Sequence, residues 1–597
     1  MDKPQGTRRR KARRRVMVLL VLCCAVFALF LARLAWLQFA MADHYAQKMA
    51  EAGSASYTLP QHAARGAITD RSGTVLAQDE TVYDVYLRVP APPGTNLRET
   101  VNTIAALTGG KDVETQLAAF CSAVSAGELP VTQGLDSIGA AAYYRAGLVQ
   151  NGAVRLAARG VRRWPDGTIL PHTLGFTGPI TAEQWPAARA QGLAMDATIG
   201  QNGLEAAYDT LLRGRDGQLQ INVGLDGVTR ETVQTSTPVP GCTLVLTLDA
   251  DLQKTLQTAL QNQMDTLRTT KGIGAGREVR AGAAVVVDVR TGGILAAASL
   301  PDFDLSRYRS DYAALSADSA APLLDRVCQG LYAPGSAFKP AVAAAALTVG
   351  IDPAATVNCT GKYFYYSNYH PGCLQYGHRG PVDLRTALEY SCNIFFYDTG
   401  RRLGVDTFSA MARQLGLANN TGVEITAAQG RLTWSTDTNY QDGLTLMAAI
   451  GQGNTAVTPL QLAQYAAALA NYGRKPTLHF ADRAVQPATG AAVWQYEPAF
   501  TEIPGGEAVF GPIRDGMKRM AQTARALREA PVTVAAKTGS PQLADTLPGG
   551  SHYVNSVLIG YAPADDPQIA MAVVLEYGGG GANAAPVMRA VLDAWFE

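Results

Sequence analysis

One stretch of the chain is apolar without interruption. Residues 16–32 (VMVLLVLCCAVFALFLA) carry no charge and no helix breaker, and LAWLQFA extends them past Arg33. With Arg33 snorkelling to an interface, the stretch reaches the roughly 20 residues that cross a bilayer as a helix. A cleaved signal peptide is the rival reading, because Ala40-Met41-Ala42 offers a small-residue site. The apolar run is longer than a usual signal core. The pattern therefore predicts one uncleaved membrane span over residues 16–38.

The rest of the chain reads as shorter periods. Residues 40–242 are mixed, with a strand-like run at 81–89 (TVYDVYLRV) and a helical one at 204–212 after Asn202-Gly203. Residues 243–248 (TLVLTL) predict a strand, and 249–264 a helix with apolar positions at i, i+3 and i+4. A glycine-rich stretch at 271–278 reads as a linker. Then 283–289 (AAVVVDV) and 294–299 (ILAAAS) flank Arg290-Thr291-Gly292-Gly293, a hairpin signal. Helical patterns dominate to about Gly473. Strands return at 532–536, 553–561 and 568–576, and a last helix is expected over 585–596. Strands at both ends with helices between them predict an α+β domain whose sheet brings its two ends together.

At 597 residues the chain is too long for one core, and 47% hydrophobic with 17% charged residues is ordinary for globular domains. The net charge of +1 hides an asymmetry: residues 1–15 hold eight Lys/Arg and one acid, which leaves the remainder at −6. A basic head of this kind could serve nucleic acid. Placed directly before an apolar span, it reads as the cytoplasmic flank, with everything after Arg33 outside, and no nucleic-acid role is expected. Of eight cysteines, Cys23 and Cys24 lie in the span. The other six form no C-x-x-C pair and are too sparse for a disulfide scaffold.

Three short motifs carry candidate chemistry. Pro334-Gly335-Ser336-Ala337-Phe338-Lys339 opens an alanine-rich helix. Ser336 falls in its first turn, where unpaired N–H groups favour developing negative charge. Lys339, three residues on, shares its face. A serine hydroxyl needs a base to become a nucleophile, and a lysine serves only when burial or another cation keeps it neutral. Ser-x-x-Lys alone is weak evidence, but this is its single occurrence. Ser391-Cys392-Asn393 follows in a helical or turn segment and taken alone is uninformative. Lys537-Thr538-Gly539-Ser540 ends an apolar strand. There Gly539 lets a substrate backbone approach. Thr538 and Ser540 offer hydroxyls, and Lys537 a cation, to a substrate carboxylate.

Ser-x-x-Lys, Ser-x-Asn and Lys-Thr-Gly in this order resemble the signature of penicillin-binding proteins and class A β-lactamases. The resemblance extends further. Arg65-Gly66-Ala67-Ile68-Thr69-Asp70-Arg71-Ser72-Gly73 with Leu76-Ala77 looks like the opening of the non-catalytic pedestal of class B penicillin-binding proteins. Gly203-Leu204-Glu205, Tyr208 and Leu212-Arg213-Gly214-Arg215-Asp216-Gly217 look like the pedestal's second hallmark. Gly451-Gln452-Gly453 with Thr458-Pro459-Leu460-Gln461 is similar to a helix entry of the transpeptidase domain. A class A member would add a glycosyltransferase domain, for which the chain has no room. The implied organisation is a basic tail (1–15), an anchor (16–38), a mixed pedestal or dimerisation domain (39–245), a linker (246–274) and a transpeptidase domain (275–597). The last is a β-lactamase/transpeptidase-like α+β fold, an antiparallel sheet flanked by helices.

By this resemblance Ser336 attacks the carbonyl between the last two D-Ala residues of a peptidoglycan stem peptide, and Lys339 is its base. Ser391 relays a proton to the leaving amine, and Asn393 orients Lys339 and the substrate amide. Lys537, Thr538 and Ser540 hold the terminal carboxylate, and backbone N–H groups of Ser336 and Ser540 form the oxyanion hole. β-Lactams would acylate Ser336. The implied partner is a membrane-embedded polytopic glycosyltransferase of the shape, elongation, division and sporulation family. A carboxypeptidase or β-lactamase is the hydrolytic rival, though no Glu-x-x-Leu-Asn element is found. A sensor or scaffold is the non-catalytic one.

Catalysis of this kind needs no cofactor. Cys359, Cys373, His378 and Cys392, however, are spaced 14, 5 and 14 apart. Three thiolates and an imidazole make a tetrahedral zinc set. Some elongation-type class B proteins carry a metal at similar spacings, with Asp in place of two of these cysteines. A Cys359–Cys373 disulfide, reasonable outside the membrane, and plain buried thiols remain the alternatives.

Overall fold

The computed structural model describes residues 6–42, 44, 55–92, 94–110, 112–123, 127–195, 197–223, 229–373, 378–548 and 550–597. The chain divides into two compact units, residues 1–63 with 215–239, and residues 64–214 with 240–597.

In the first unit the apolar run forms the helix Gly6–Ala35, continued by a π-helical turn Trp36–Ala40. Its large side chains are exposed along the whole run, Phe27 and Leu29 by 72% and 73%. An apolar run whose described side chains are exposed all round has the surface lipid would cover. Residues 13–40 have the length and hydropathy to cross a membrane once. Residues 1–5 of the basic tail lie outside the described residues. The unit also holds a three-stranded antiparallel sheet in which Gly217–Val223 pairs with both Ala55–Gln61 and Thr229–Ser236.

The second unit begins with a sheet built on the long strand Val75–Val89, six residues longer at its start than the sequence pattern predicts. Gly127–Leu135 and Val154–Arg163 pair with it antiparallel. Helices Leu97–Leu107 and Ser137–Arg145 close a small core over it, containing Val85, Leu87, Ile104, Tyr143 and Val154. The helix expected over 204–212 is broken into Gly203–Ala207 and Asp209–Leu212. Tyr208 leaves helical geometry at φ −111°, and its hydroxyl donates to Glu424 Oε1 at 3.0 Å. A tertiary hydrogen bond thus accompanies a break that periodicity could not signal.

The two pedestal-like motifs meet in this unit. Arg65 Nε donates to Glu205 Oε2 and Arg162 Nε to Glu205 Oε1, both at 2.6 Å, with Glu205 fully buried. Arg65 Nη1 also reaches Asp209 at 2.7 Å, and Arg162 Nη1 reaches the Gly66 carbonyl at 2.9 Å.

The larger sheet has five antiparallel strands in the order Ile294–Leu300, Gly282–Asp288, Ile569–Leu575, Ser556–Ala562, Ala535–Gly539. Val285 faces Ala572, so strands almost 290 residues apart lie side by side, as the α+β reading requires. One face packs on helices Ala250–Arg268 and Ala585–Phe596 through Leu256, Leu260, Val286, Val573 and Val591. The other packs on Lys339–Thr348 and Pro459–Ala470 through Val285, Val287 and Tyr465. Helices on both faces explain why these strands read as continuous apolar runs without alternation. Asp249 caps the first helix by accepting from Leu252 N at 3.1 Å. Thr458 and Gln461 form a reciprocal capping box on the fully buried helix Pro459–Ala470.

Two strands differ from expectation. The one expected at 532–536 lies at Ala535–Gly539, which brings Lys537, Thr538 and Gly539 into the ladder opposite Ile559, Leu558 and Val557. The one expected at 553–561 is split into His552–Val554 and Ser556–Ala562. Between them Asn555 donates its N–H to Pro541 O at 3.1 Å, and its Oδ1 accepts from Tyr577 N at 2.9 Å.

Candidate active site

Ser336 sits in a tight 3-10 turn, Gly335–Phe338, that runs directly into the helix beginning at Lys339. The turn is held from below. Gly335 takes φ +55°, and its N–H donates to the Gly451 carbonyl at 2.9 Å. A Cβ on Gly451 would stand 2.2 Å from the Gly335 carbonyl oxygen, so only glycine admits this approach. Phe338, fully buried, meets Phe408 edge-on at 6.2 Å. Upstream, Tyr332 forms a two-way backbone bridge with Val457, and its hydroxyl donates to Glu576 at 2.8 Å. Ser336 itself is half-buried at the mouth of this support.

Lys339 is fully buried. Its Nζ donates to the Ser391 carbonyl at 2.7 Å, to Ser391 Oγ at 3.1 Å and to Asn393 Oδ1 at 2.7 Å. Ser391 lies between helices Leu384–Glu389 and Asn393–Leu403 at φ +56°, a conformation that costs a serine about 1–3 kcal/mol. That bend aims both its carbonyl and its hydroxyl at Lys339. Lys537, also fully buried, approaches the same hydroxyl from the sheet, with Nζ 3.0 Å from Ser391 Oγ. One hydroxyl thus bridges two amines.

Burial pulls Lys339 down to about 7, with Cys392 and Cys373 acting against it. Burial, then the neighbouring Lys339, holds Lys537 well below its ordinary value. A lysine poised near neutrality can accept a proton, which an exposed lysine cannot.

The strand Ala535–Gly539 is the sheet's edge, paired on one side only. A Cβ on Gly539 would lie 2.2 Å from the Pro334 carbonyl oxygen and 3.2 Å from Ala337 N, so the strand end presses against the Ser336 turn. Ser540 is exposed, and its Oγ accepts from Gly581 N at 2.8 Å. Thr538 is half-buried with its hydroxyl 3.9 Å from Met520 Sδ, and only its backbone carbonyl, which accepts from Lys537 Nζ at 3.1 Å, joins the lysine network. The geometry therefore links Lys339, Ser391, Asn393 and Lys537 directly, and brings Ser336, Gly539 and Ser540 alongside. The sequence reading missed Asn555 and Gly581, which position Pro541 and Ser540. The glycine run 578–581 after a strand signals a turn, but not what the turn packs against.

Cys359, Cys373, His378 and Cys392 are all buried, with one ligand atom from each lying within 4.8 Å of the others. His378 Nε2 is 3.5 Å from Cys373 Sγ and 3.7 Å from Cys359 Sγ. Among the described residues no two cysteines form a disulfide, so the Cys359–Cys373 bridge left open by the sequence is not made. The two thiols turn to a shared imidazole instead. Cys392 is the middle residue of Ser-x-Asn, which puts the cluster directly behind the lysine network.

A helix-start serine and lysine against the edge of a sheet sandwiched by helices is the layout of the penicillin-recognising acyl-transfer fold. Residues 282–593 match the penicillin binding protein transpeptidase domain, and residues 60–246 match the penicillin-binding protein dimerisation domain. The chain belongs to the penicillin-binding proteins, in their class B. It is 29% identical to the peptidoglycan D,D-transpeptidase MrdA of Acinetobacter baumannii, over 96% of this chain and 86% of that one. A chain from a structure on the coordination of polymerization and crosslinking by a peptidoglycan synthase complex is 28% identical, with 98% of each chain covered and a TM-score of 0.72. Penicillin-binding protein PBP2 of Helicobacter pylori, solved in complex with MreC, shares the fold at 23% identity and a TM-score of 0.74, over 91% of this chain and 99% of that one.

Proposed function

We propose that this chain is a membrane-anchored peptidoglycan D,D-transpeptidase that joins stem peptides through an acyl-enzyme on Ser336. The observation that carries the reading is the buried network in which Ser391 Oγ bridges Lys339 and Lys537 beside the Ser336 turn. Ser336 Oγ attacks the carbonyl of the penultimate D-Ala while its proton passes to neutral Lys339. Backbone N–H groups of Ser336 and Ser540 take the oxyanion. As the C–N bond breaks, Ser391 relays a proton to the amine of the departing terminal D-Ala. The amine of a second stem then attacks the ester, and Ser336 recovers its proton. Asn393 holds Lys339 in place. Lys537, with Thr538 and Ser540, receives the terminal carboxylate, and that anion favours the charged form of Lys537.

Labelling the purified full chain with fluorescent penicillin, beside Ser336→Ala, tests this by intact mass. A stable adduct on the wild type alone is expected. An adduct on Ser336→Ala would sink the assignment, and rapid release of the label would indicate a hydrolase.

The basic tail before the apolar helix supports an N-terminus in the cytoplasm and catalysis outside. The likeness to a chain of a peptidoglycan synthase complex supports a polytopic glycosyltransferase of the shape, elongation, division and sporulation family as partner. The pedestal, linker and transpeptidase boundaries at 39–245, 246–274 and 275–597 are proposed with these roles.

Three thiols and an imidazole, converging and buried, fit a structural zinc ion. Zn–S near ~2.3 Å and Zn–N near ~2.0–2.1 Å call for donors about as close as these. Zinc there would be structural, fixing Cys392 and so the backbone of the Ser-x-Asn turn. About one zinc per chain is expected in elemental analysis, lost in Cys359→Ser/Cys373→Ser. A wild type without metal would refute it.

A further inference from the structure

Between Cys359 and Cys373 the chain runs out and back as a hairpin that buries Tyr363 and turns Phe364 and Tyr365 outward. Lys362 and Gly372 form an antiparallel bridge, and Tyr363 N donates to Pro371 O at 3.0 Å. Phe364 and Tyr365 are 63% and 58% exposed. Such rings, clustered in the open, are the signal that needs explaining.

They are held rigidly. Tyr363 is buried, with its hydroxyl donating to Asp398 Oδ1 and accepting from Arg401 Nε, each at 3.0 Å. The Arg401 guanidinium lies 3.9 Å over the Tyr365 ring. Tyr363 stacks with Tyr365 at 15° between planes, and Phe364 leans on His370 at 4.9 Å. Much of the ordering cost of Tyr365 is therefore met before anything binds.

The hairpin is also continuous with the site. The Gly372 carbonyl accepts from Asn393 Nδ2 at 3.2 Å. The Tyr369 hydroxyl donates to Met447 Sδ at 3.2 Å, on the helix Asp442–Ala449 that leads to Gly451 under the Ser336 turn. Whatever lies on the rings lies beside the peptide being joined.

Two flat neighbouring rings, Phe364 and a Tyr365 that carries a hydroxyl and is backed by the Arg401 guanidinium, suit a pyranose, whose C–H face stacks on a ring while its hydroxyls reach the polar edges. A protein seated here would cover the rim of a cleft that must stay open to substrate. Resting on the transpeptidase reading above, we infer that the hairpin spanning residues 362–372 is a saccharide-stacking subsite that seats the glycan of a peptidoglycan strand, with Phe364 and Tyr365 as its platforms.

The test titrates the detergent-solubilised full chain with peptide-free glycan strands released from peptidoglycan by an amidase. Fluorescent-penicillin acylation is measured on the same samples. Phe364→Ser/Tyr365→Ser is expected to weaken strand binding about tenfold or more. The acylation rate should stay within about twofold, because neither side chain touches the lysine network. The exchange Phe364→Tyr/Tyr365→Phe should keep the binding. A wild type that is acylated yet ignores the strands overturns the inference and leaves the transpeptidase reading standing, as does a double variant of unchanged affinity. Loss of a protein partner or of vesicle binding, with strand binding intact, also overturns it. A wild type that forms no adduct overturns the underlying reading first.

Discussion

Two clusters of buried charge lie in the same compact unit and are built on opposite principles. Around Glu205, every cation faces an anion: Arg65 and Arg162 share its two oxygens at 2.6 Å, and Asp209 takes the other side of Arg65 at 2.7 Å. Burial works against the charge on Arg65, yet Glu205 and Asp209 outweigh it and hold the guanidinium above its ordinary value. Around Ser391, two buried lysines find only neutral oxygens from Ser391, Asn393 and Thr538. Among the described residues no carboxylate pairs with either ammonium. Burial therefore outweighs the opposing pull of Cys392 and Cys373 on Lys339, meets no carboxylate at Lys537, and both lysines lose basicity. The first arrangement fastens segments together. The second leaves a vacancy in the charge balance that a substrate carboxylate can fill, and a base that can work near neutral pH.

That contrast can be broken from either side. Lys339→Met keeps the length and removes the base. Acylation by penicillin should fall about 10²–10⁴-fold, the usual worth of a positioned base, while the unfolding midpoint stays put or rises because a buried amine without an anion has gone. Acylation within tenfold of wild type would show that Lys339 is not the base. Glu205→Ala does the reverse. It leaves Arg65 and Arg162 buried without their shared partner, and a cost of about 3–5 kcal/mol is expected in denaturant unfolding. Molecules still folded should acylate at the wild-type rate. A Glu205→Ala protein as stable as wild type would remove the distinction between the two clusters.

The same contrast explains what could be read from residues alone. Ser336 and Lys339 were legible because helical geometry sets the distance between positions three apart. The strands of the large sheet were legible because helices cover both faces and enforce long apolar runs. The edge strand was offset by three residues, since Val532 and Val534 look as strand-like as Ala535 and Ala536 while only the latter enter the ladder. What stayed hidden depends on partners far apart in the chain. Arg65 and Glu205 are 140 residues apart, Ser540 and Gly581 are 41 apart, and neither pair has a local signature. The spacing of Cys359, Cys373, His378 and Cys392 allowed either a metal set or a disulfide. The convergence of two thiols on one imidazole, which supports the metal set proposed above over a disulfide or plain buried thiols, is a property of the folded chain.

The smallest expected effect is also the most diagnostic of the unpaired cluster. If Lys339 is the base, its neutral form is the active one. With burial holding it to about 7, acylation should reach a plateau above that pH and fall about tenfold for each unit below it. The sign follows from the charge: protonation below 7 fills the lone pair that must take the Ser336 proton. An exposed lysine would put the same fall near its ordinary value, above 10, so the position of the limb measures how far burial is left uncompensated. In Glu205→Ala the limb should not move, because no anion has been added to or taken from the Ser391 network. In Ser391→Ala one neutral oxygen ligand is lost from each amine, and the limb should shift further toward acid as charged Lys339 loses a hydrogen-bond acceptor. A wild-type limb above pH 9, read from initial acylation rates at fixed ionic strength, would mean that Lys339 is charged at neutral pH and that some anion does pair with it.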